Sequence, residues 1–183
     1  MNLETRSYVT DFELRTAGDG RTLRVLAAPF DRPAHIVDFL GEYDETIARG
    51  AFATTIRERG HKVRVFTQHD VTKLPIGRPT SLREDAAGLV AELRIARTAA
   101  GDDALALVAD GVLDGVSIGF TAVQQRWSPD RRRRTLDVVA LRELSLVSEA
   151  AYAEAKVLAV RSARSPSLAP LYAVLLDRRK VTL

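Results

Sequence analysis

The sequence predicts an α+β domain dominated by β-structure, a small bent sheet or barrel with two or three covering helices. Three observations carry that expectation. Apolar residues recur with a period of two along short segments such as Thr22 to Pro29, Val63 to His69, Gly88 to Arg94 and Val116 to Phe120, the spacing of strands with one buried face. Turn-forming clusters separate several of these segments, among them AGDGR at residues 17–21 and SPDR at residues 128–131. Within the domain helical spacing is confined to short stretches near residues 51–59, 102–110 and 150–159, with a further amphipathic helix expected in the tail at 168–179, which leaves the sheet to supply most of the core.

Along the chain, Ser7 to Leu14 and Thr22 to Pro29 alternate like strands, and Gly18, Asp19 and Gly20 between them read as a hairpin turn. A polar loop containing Pro33 follows Phe30. It leads to a helix from about Ala51 to Arg59, in which Phe52 and Ile56 share a face and Gly60 supplies the stop. The strand ending at His69 comes next, then Gly77 to Arg83 and Gly88 to Arg94 around a turn at Glu84 to Ala87. Gly101 and Asp102 open a second helix, with Asp102 as the capping residue and Leu105, Leu107 and Val108 as the apolar face, before Gly111 ends it. An alanine-rich helix at Ala150 to Ala159 closes the domain. SARSPS, from Ser162 to Ser167, reads as a linker, and Leu168 to Arg179 as an amphipathic tail that is either packed back or removable. The predicted organisation is one domain over residues 1–160 with a linker and tail over residues 161–183.

Three segments carry candidate chemistry: FTQHD ending at His69 and Asp70, GVSIGF around Ser117, and LRELSLV around Glu143. A nucleophile, a base and a carboxylate that orients the base are the roles that hydrolytic serine chemistry requires. Val116, Ile118 and Phe120 face one way along their strand, whereas Ser117 and Gly119 face the other. Gly119 leaves room for a substrate backbone beside the hydroxyl. In the third segment Leu144 and Leu146 share one face, and Glu143, Ser145 and Val147 the other. A hairpin folded symmetrically about Asp130 sets Ser117 opposite Glu143, with their Cβ atoms about 5 Å apart. Val63, Val65, Thr67 and His69 share a face, so His69 ends its strand on the inward side. The other two histidines, His35 and His61, fall in a loop and at a helix exit and read as surface residues.

Taken together, these segments resemble the prohead (capsid maturation) proteases of tailed phages, the HK97-type family related in fold to the herpesvirus assemblins. The likeness runs from about Leu23 to Val160, through RGAF (49–52), QHD (68–70), LPIGRP (74–79), GLVAEL (88–93), GVLDGVSIGF (111–120) and LRELSLVSEAAYAEAKV (141–157), all in the same order. The resemblance implies an assemblin-type barrel, with His69 as general base, Ser117 as nucleophile and Glu143 as third member; Asp70 and Glu149 are the alternatives for that last role. It implies a serine endopeptidase acting on scaffold and major capsid protein segments within a procapsid, in the cytoplasm of a bacterial host, with self-association as a further expectation. Assemblins supply arginine to the oxyanion from the loop after the third member, and Ser148 to Lys156 contains none, so the oxyanion stabiliser is unassigned. The competing reading is a non-catalytic scaffold-binding module of the same fold.

Composition narrows the alternatives. At 183 residues the chain is long enough to bury a core without staples. The absence of cysteine excludes disulfides, thiolate metal sites and a cysteine nucleophile. No cofactor or metal is implied. No segment has the apolar length of a membrane span, and MNLETRSYVTDFEL lacks a signal-peptide pattern, so a cytosolic protein without membrane partners is expected. With 27 basic and 24 acidic residues the net charge is +3, too balanced to argue for nucleic acid. The one basic run, Arg131 to Arg134, reads as a solvated hairpin tip.

Overall fold

A computed structural model describes residues 3–9, 13–15, 19–38 and 40–148. In chain order these form strands β1 (Glu4–Val9), β2 (Glu13–Arg15), β3 (Thr22–Pro29), β4 (Ala34–Asp38) and β5 (Gly41–Ile47), helix α1 (Ala53–Arg59), strands β6 (Arg64–Thr67), β7 (Gly77–Glu84) and β8 (Gly88–Ile95), helix α2 (Ala99–Ala109), and strands β9 (Gly115–Trp127) and β10 (Arg133–Val147). All strands join one sheet, in the order β1-β9-β10-β6-β7-β8-β3-β2, with β5 also on β10 and β4 on β5. The sheet curls into a half-barrel that brings β3 beside β9. The β-dominated architecture is the one expected from the alternation. The helix expected at Ala150 to Ala159, the linker and the tail lie outside the described residues.

The apolar alternation builds the core. In β3, Leu23, Val25 and Ala27 are buried, and a register shift against β8 between Leu26 and Ala28 lets the adjacent Ala28 be buried as well. Pro79 in β7 stands at a similar shift, where its missing N–H is no loss to the ladder. Phe52 at the head of α1 stacks on Phe30, with ring centroids 6.2 Å apart.

Strand β10 organises the half of the sheet that carries the site. One edge pairs antiparallel with β9. The other pairs in parallel with β5 over Arg133 to Leu136 and then with β6 over Glu143 to Leu146, so β5 and β6 lie end to end. Between them the start of α1 takes the place of a strand. Val139 N–H donates to the Ala51 carbonyl at 3.0 Å, Thr55 Oγ1 donates to the Val139 carbonyl at 3.1 Å, and Leu141 N–H donates to Thr55 Oγ1 at 3.1 Å. These bonds give backbone groups of β10 that face the gap the partners a strand would otherwise supply.

Several expectations are corrected. Ser7 to Leu14 is not one strand: β1 runs along β9, whereas β2 pairs with β3. The expected polar loop after Phe30 contains the β4-β5 hairpin. Its alternation is hidden because Tyr43, Glu45 and Ile47 are the buried positions of β5, and the middle one is charged. Gly60 has φ −53° and carries α1 into a 3-10 turn at Gly60–Lys62 rather than stopping it. Helix α2 is capped by Thr98, which accepts from Gly101 N–H at 3.2 Å, while Asp102 pairs with Arg21 at 2.5 Å. The buried residues of α2 are Gly101 and Ala104, and Leu107 is exposed. Gly111, with φ 72°, does end that region, as expected.

The arginine run is not uniformly solvated either. β10 begins at Arg133, so alternation turns Arg134 inward, to 2% exposure. Arg134 bonds Glu4 (2.6 and 3.0 Å), Glu45 (2.8 Å) and Gln125 (2.6 Å). Arg6 of β1 holds Glu45 from the other side with two bonds, at 2.7 and 3.0 Å. Two cations and two carboxylates thus balance in the interior. Burial alone would lower the Arg134 pKa, but its bond to Glu4 and the charges of Glu45 and Glu4 outweigh that and hold it above the ordinary arginine value. The neighbouring Tyr43 hydroxyl, buried and bonded to Asp38, is pushed up to about 12.

Candidate active site

The three residues singled out from the sequence meet on one face of the sheet. His69 Nε2 lies 2.6 Å from Ser117 Oγ, and His69 Nδ1 lies 2.6 Å from Glu143 Oε1. Glu143 has 4% of its side chain exposed and His69 26%; Ser117 is wholly buried. Nδ1 donating to the carboxylate leaves Nε2 as an acceptor for the serine hydroxyl.

Strand β9 sets the serine. Its core side carries Val116, Ile118 and Phe120, all fully buried, so Ser117 and Gly119 occupy the opposite face. The register differs from the symmetric hairpin by two residues. Ser117 opposes Ser145, and Glu143 opposes Gly119. One of the two is already present at the hairpin end, where Arg134 opposes Trp127; the other is an extra residue in β10, where the pairing passes from Leu141–Phe120 directly to Glu143–Gly119 and leaves Arg142 in a bulge. Buried core positions therefore step from Val139 and Leu141 to Leu144 and Leu146. Glu143 joins the face of Ser117 because of that step. Arg142, the bulged residue, reaches the same side, and its Nε donates to Thr121 Oγ1 at 3.2 Å. Gly119 is the floor on which the carboxylate rests: a Cβ there would stand 2.3 Å from Glu143 Oε1.

His69 arrives by a route that alternation did not predict. In β6, Val65 pairs with Leu144 and Thr67 with Leu146, both core positions, so a continued strand would turn His69 into the core. The strand instead stops at Thr67, and Gln68 and His69 adopt left-handed φ values of 51° and 57°. For residues with a Cβ this conformation costs about 1–2 kcal/mol each. Four hydrogen bonds hold it: Gln68 N–H to the Leu146 carbonyl (3.0 Å), Asp70 N–H to the Thr67 carbonyl (3.0 Å), His69 N–H to Ser145 Oγ (3.2 Å) and Gln68 Nε2 to Ser148 Oγ (2.7 Å). The turn swings the imidazole onto the Ser117 face.

Ser145 is the residue that sequence reasoning left without a role. Fully buried, it accepts from His69 N–H and donates from Oγ to Glu143 Oε2 at 2.8 Å. One hydroxyl thus fixes both the backbone of the histidine and the second oxygen of the carboxylate. Its signal was its place two residues after Glu143 on the same strand face. Of the alternatives for the third position, Asp70 bonds Thr72 and Lys73 instead of His69, and the bonds from Thr72 first and Lys73 second hold its carboxyl below the ordinary aspartate range. Glu149 lies outside the described residues. His35 sits in the exposed β4-β5 hairpin beside Glu42 and Asp44, and His61 in the exposed 3-10 turn.

Among the described residues no group of three or more His, Asp or Glu side chains could hold a metal ion. Nor is any helix among them long and apolar enough to cross a membrane.

Residues 10–168 match the family described as caudovirus prohead serine protease. The chain is 27% identical over 152 residues to the prohead protease of Enterobacteria phage HK97, an alignment that covers 82% of this chain and 65% of that protein. It therefore spans slightly less than two thirds of the relative's length. Its fold is similar to that in the structure of the bacteriophage T4 capsid assembly protease, with a TM-score of 0.58 at 9% identity over 80% of this chain and 97% of that one. At that identity the likeness is one of fold alone. The family match takes in every strand from β2 to β10, including the segments that supply His69, Ser117 and Glu143, and the chain belongs to the caudovirus prohead serine protease family.

Proposed function

We propose that the chain is a serine endopeptidase of capsid maturation in which Ser117 is the nucleophile, His69 the general base and Glu143 the group that orients and stabilises the imidazole. The carrying observation is the continuous contact from Ser117 Oγ through both ring nitrogens of His69 to Glu143 Oε1, each step 2.6 Å. Ser117 Oγ attacks the scissile carbonyl carbon while His69 Nε2 takes the hydroxyl proton, and the carbonyl π pair moves onto oxygen. Collapse of that tetrahedral species expels the amine, which receives the proton from His69, and leaves an acyl-enzyme. Water repeats the sequence and releases the acid. Glu143 holds the Nδ1 tautomer and stabilises the imidazolium at each stage. A non-catalytic assembly module would have no physical need for this contact or for the left-handed turn that creates it.

On this reading the substrates are segments of the scaffold and major capsid proteins, met inside the procapsid, where copies of the enzyme also meet one another. The names of the phage relatives support that setting. We read the curled sheet as an assemblin-type barrel, and we place the end of the protease domain near residue 160, before a linker and tail.

The test is labelling with a fluorophosphonate followed by peptide mapping. A single adduct on Ser117, absent after His69→Ala, is the expected result; an adduct on Ser145, or none, overturns the assignment. A second expectation concerns the glycine floor. Gly119→Ala drives a methyl group into Glu143 Oε1 and displaces the carboxylate from His69, lowering the labelling rate by on the order of 10³-fold. The shorter side chain of Gly119→Ala/Glu143→Asp should recover part of the loss, and a double variant no faster than the single one counts against the floor.

A further inference from the structure

A second hydroxyl touches the nucleophile. Ser7 lies directly opposite Ser117 in the β1-β9 pairing, and its Oγ donates to Ser117 Oγ at 3.0 Å. Ser7 is only partly buried, so it stands at the rim from which a substrate must approach. It also precedes residues 10–168, the part matched to the family.

We propose that Ser7 is a catalytic residue, a side-chain donor to the negative charge that develops when Ser117 attacks. This rests on the reading of Ser117 as nucleophile. In the free enzyme the Ser7 hydroxyl satisfies one lone pair of Ser117 Oγ while the Ser117 proton points at His69 Nε2. As that proton leaves, charge grows on Oγ and then on the carbonyl oxygen. Both oxygens are bonded to the same tetrahedral carbon and so stand closer together than a hydrogen-bond length. A donor within 3.0 Å of Oγ can therefore rotate about its own C–O bond from one to the other. Preorganised donors of this kind act where charge appears, and the histidine and carboxylate supply none on that side.

The donor is also fixed from behind. Arg6, the preceding residue, points through the sheet, where both Glu45 oxygens bind it at 2.7 and 3.0 Å, and its guanidinium lies 5.6 Å from the Phe120 ring centroid. Adjacent residues of one strand thus divide the work: Arg6 anchors β1 in the core and Ser7 meets the reacting atom. An edge strand without such an anchor would hold a hydroxyl too loosely for preorganisation.

The test compares Ser7→Thr with Ser7→Val, two side chains of one shape that differ by the hydroxyl. The probe is an alkyl fluorophosphonate, with which Ser117 Oγ forms a bond to phosphorus, fluoride leaves, His69 takes the proton and charge builds on the phosphoryl oxygen. Ser7→Thr should label within a few fold of wild type, and Ser7→Val should label slower by on the order of 10²-fold, with saturation binding of the probe and the midpoint of the pH–rate profile unchanged. Equal rates for the two variants overturn the proposal. So does a parallel loss in both with lowered melting temperatures, which marks a packing role. If label appears on a residue other than Ser117 in the wild-type protein, the underlying assignment of the nucleophile falls instead.

Discussion

Ser117→Ala is expected to abolish peptide-bond cleavage, with a loss on the order of 10⁴-fold or more, because the oxygen bonded to His69 Nε2 is the Ser117 hydroxyl and alanine has none to take its place. The fold should survive. Alanine fits the strand, and the cost is the unpairing of the Ser7 hydroxyl and of one ring nitrogen, both partly exposed and so below the about 1–3 kcal/mol of fully buried polar groups. The measurement is cleavage of co-expressed capsid and scaffold proteins by wild type and variant, read by intact mass, beside a thermal melt of each. Undiminished cleavage by a folded variant would remove Ser117 from the mechanism.

Glu45→Ala is expected to destabilise the protein by about 3–5 kcal/mol. Glu45 is 2% exposed and is bonded to both Arg6 and Arg134. Without it two buried guanidinium groups face each other with only Glu4 between them. Replacing the whole unit, as in Arg6→Met/Glu45→Leu/Arg134→Met, should recover most of the loss, since a buried ion cluster costs desolvation that an apolar cluster avoids. Chemical denaturation midpoints of the two variants decide the point: a single variant within about 1 kcal/mol of wild type would mean that water already reaches the cluster. The effect also extends to chemistry, because loosening Arg6 frees the strand that presents Ser7.

The sequence was most legible where one rule sufficed. β3 and β8, and the turn between β7 and β8, follow from period-two alternation and from glycine and acidic turn residues, and they lie within a residue of expectation. The residues of the candidate site were legible from their chemistry, since Ser117, His69 and Glu143 are polar groups at the ends or on the minority faces of apolar strands. Their geometry was less so. The hairpin register missed the Arg142 bulge, although its trace is present in the spacing: buried positions two apart at Val139 and Leu141, then a step of three to Leu144. The turn at Gln68 and His69 had no glycine to announce it, because tertiary hydrogen bonds rather than local preference impose it. The β4-β5 hairpin was obscured by Glu45, a charge that belongs inside only because two arginines from distant strands await it.

The bulge at Arg142 sets a rule for how this chain can change in length. From Val139 to Val147 the strand must be counted rather than measured. Removing Arg142 itself restores simple alternation with Leu141 inward and Glu143 still on the Ser117 face, whereas flattening the bulge with every residue kept exchanges Glu143 and Ser145 with their leucine neighbours, so that the carboxylate enters the core and leucines crowd the histidine. Arg142 is thus the one residue of this stretch whose loss keeps the faces in order, and a single insertion or deletion elsewhere in it turns over the residues that follow. The loop at residues 128–132 has no such arithmetic: its strands are already paired on both sides, and a residue gained or lost there changes only the size of the turn.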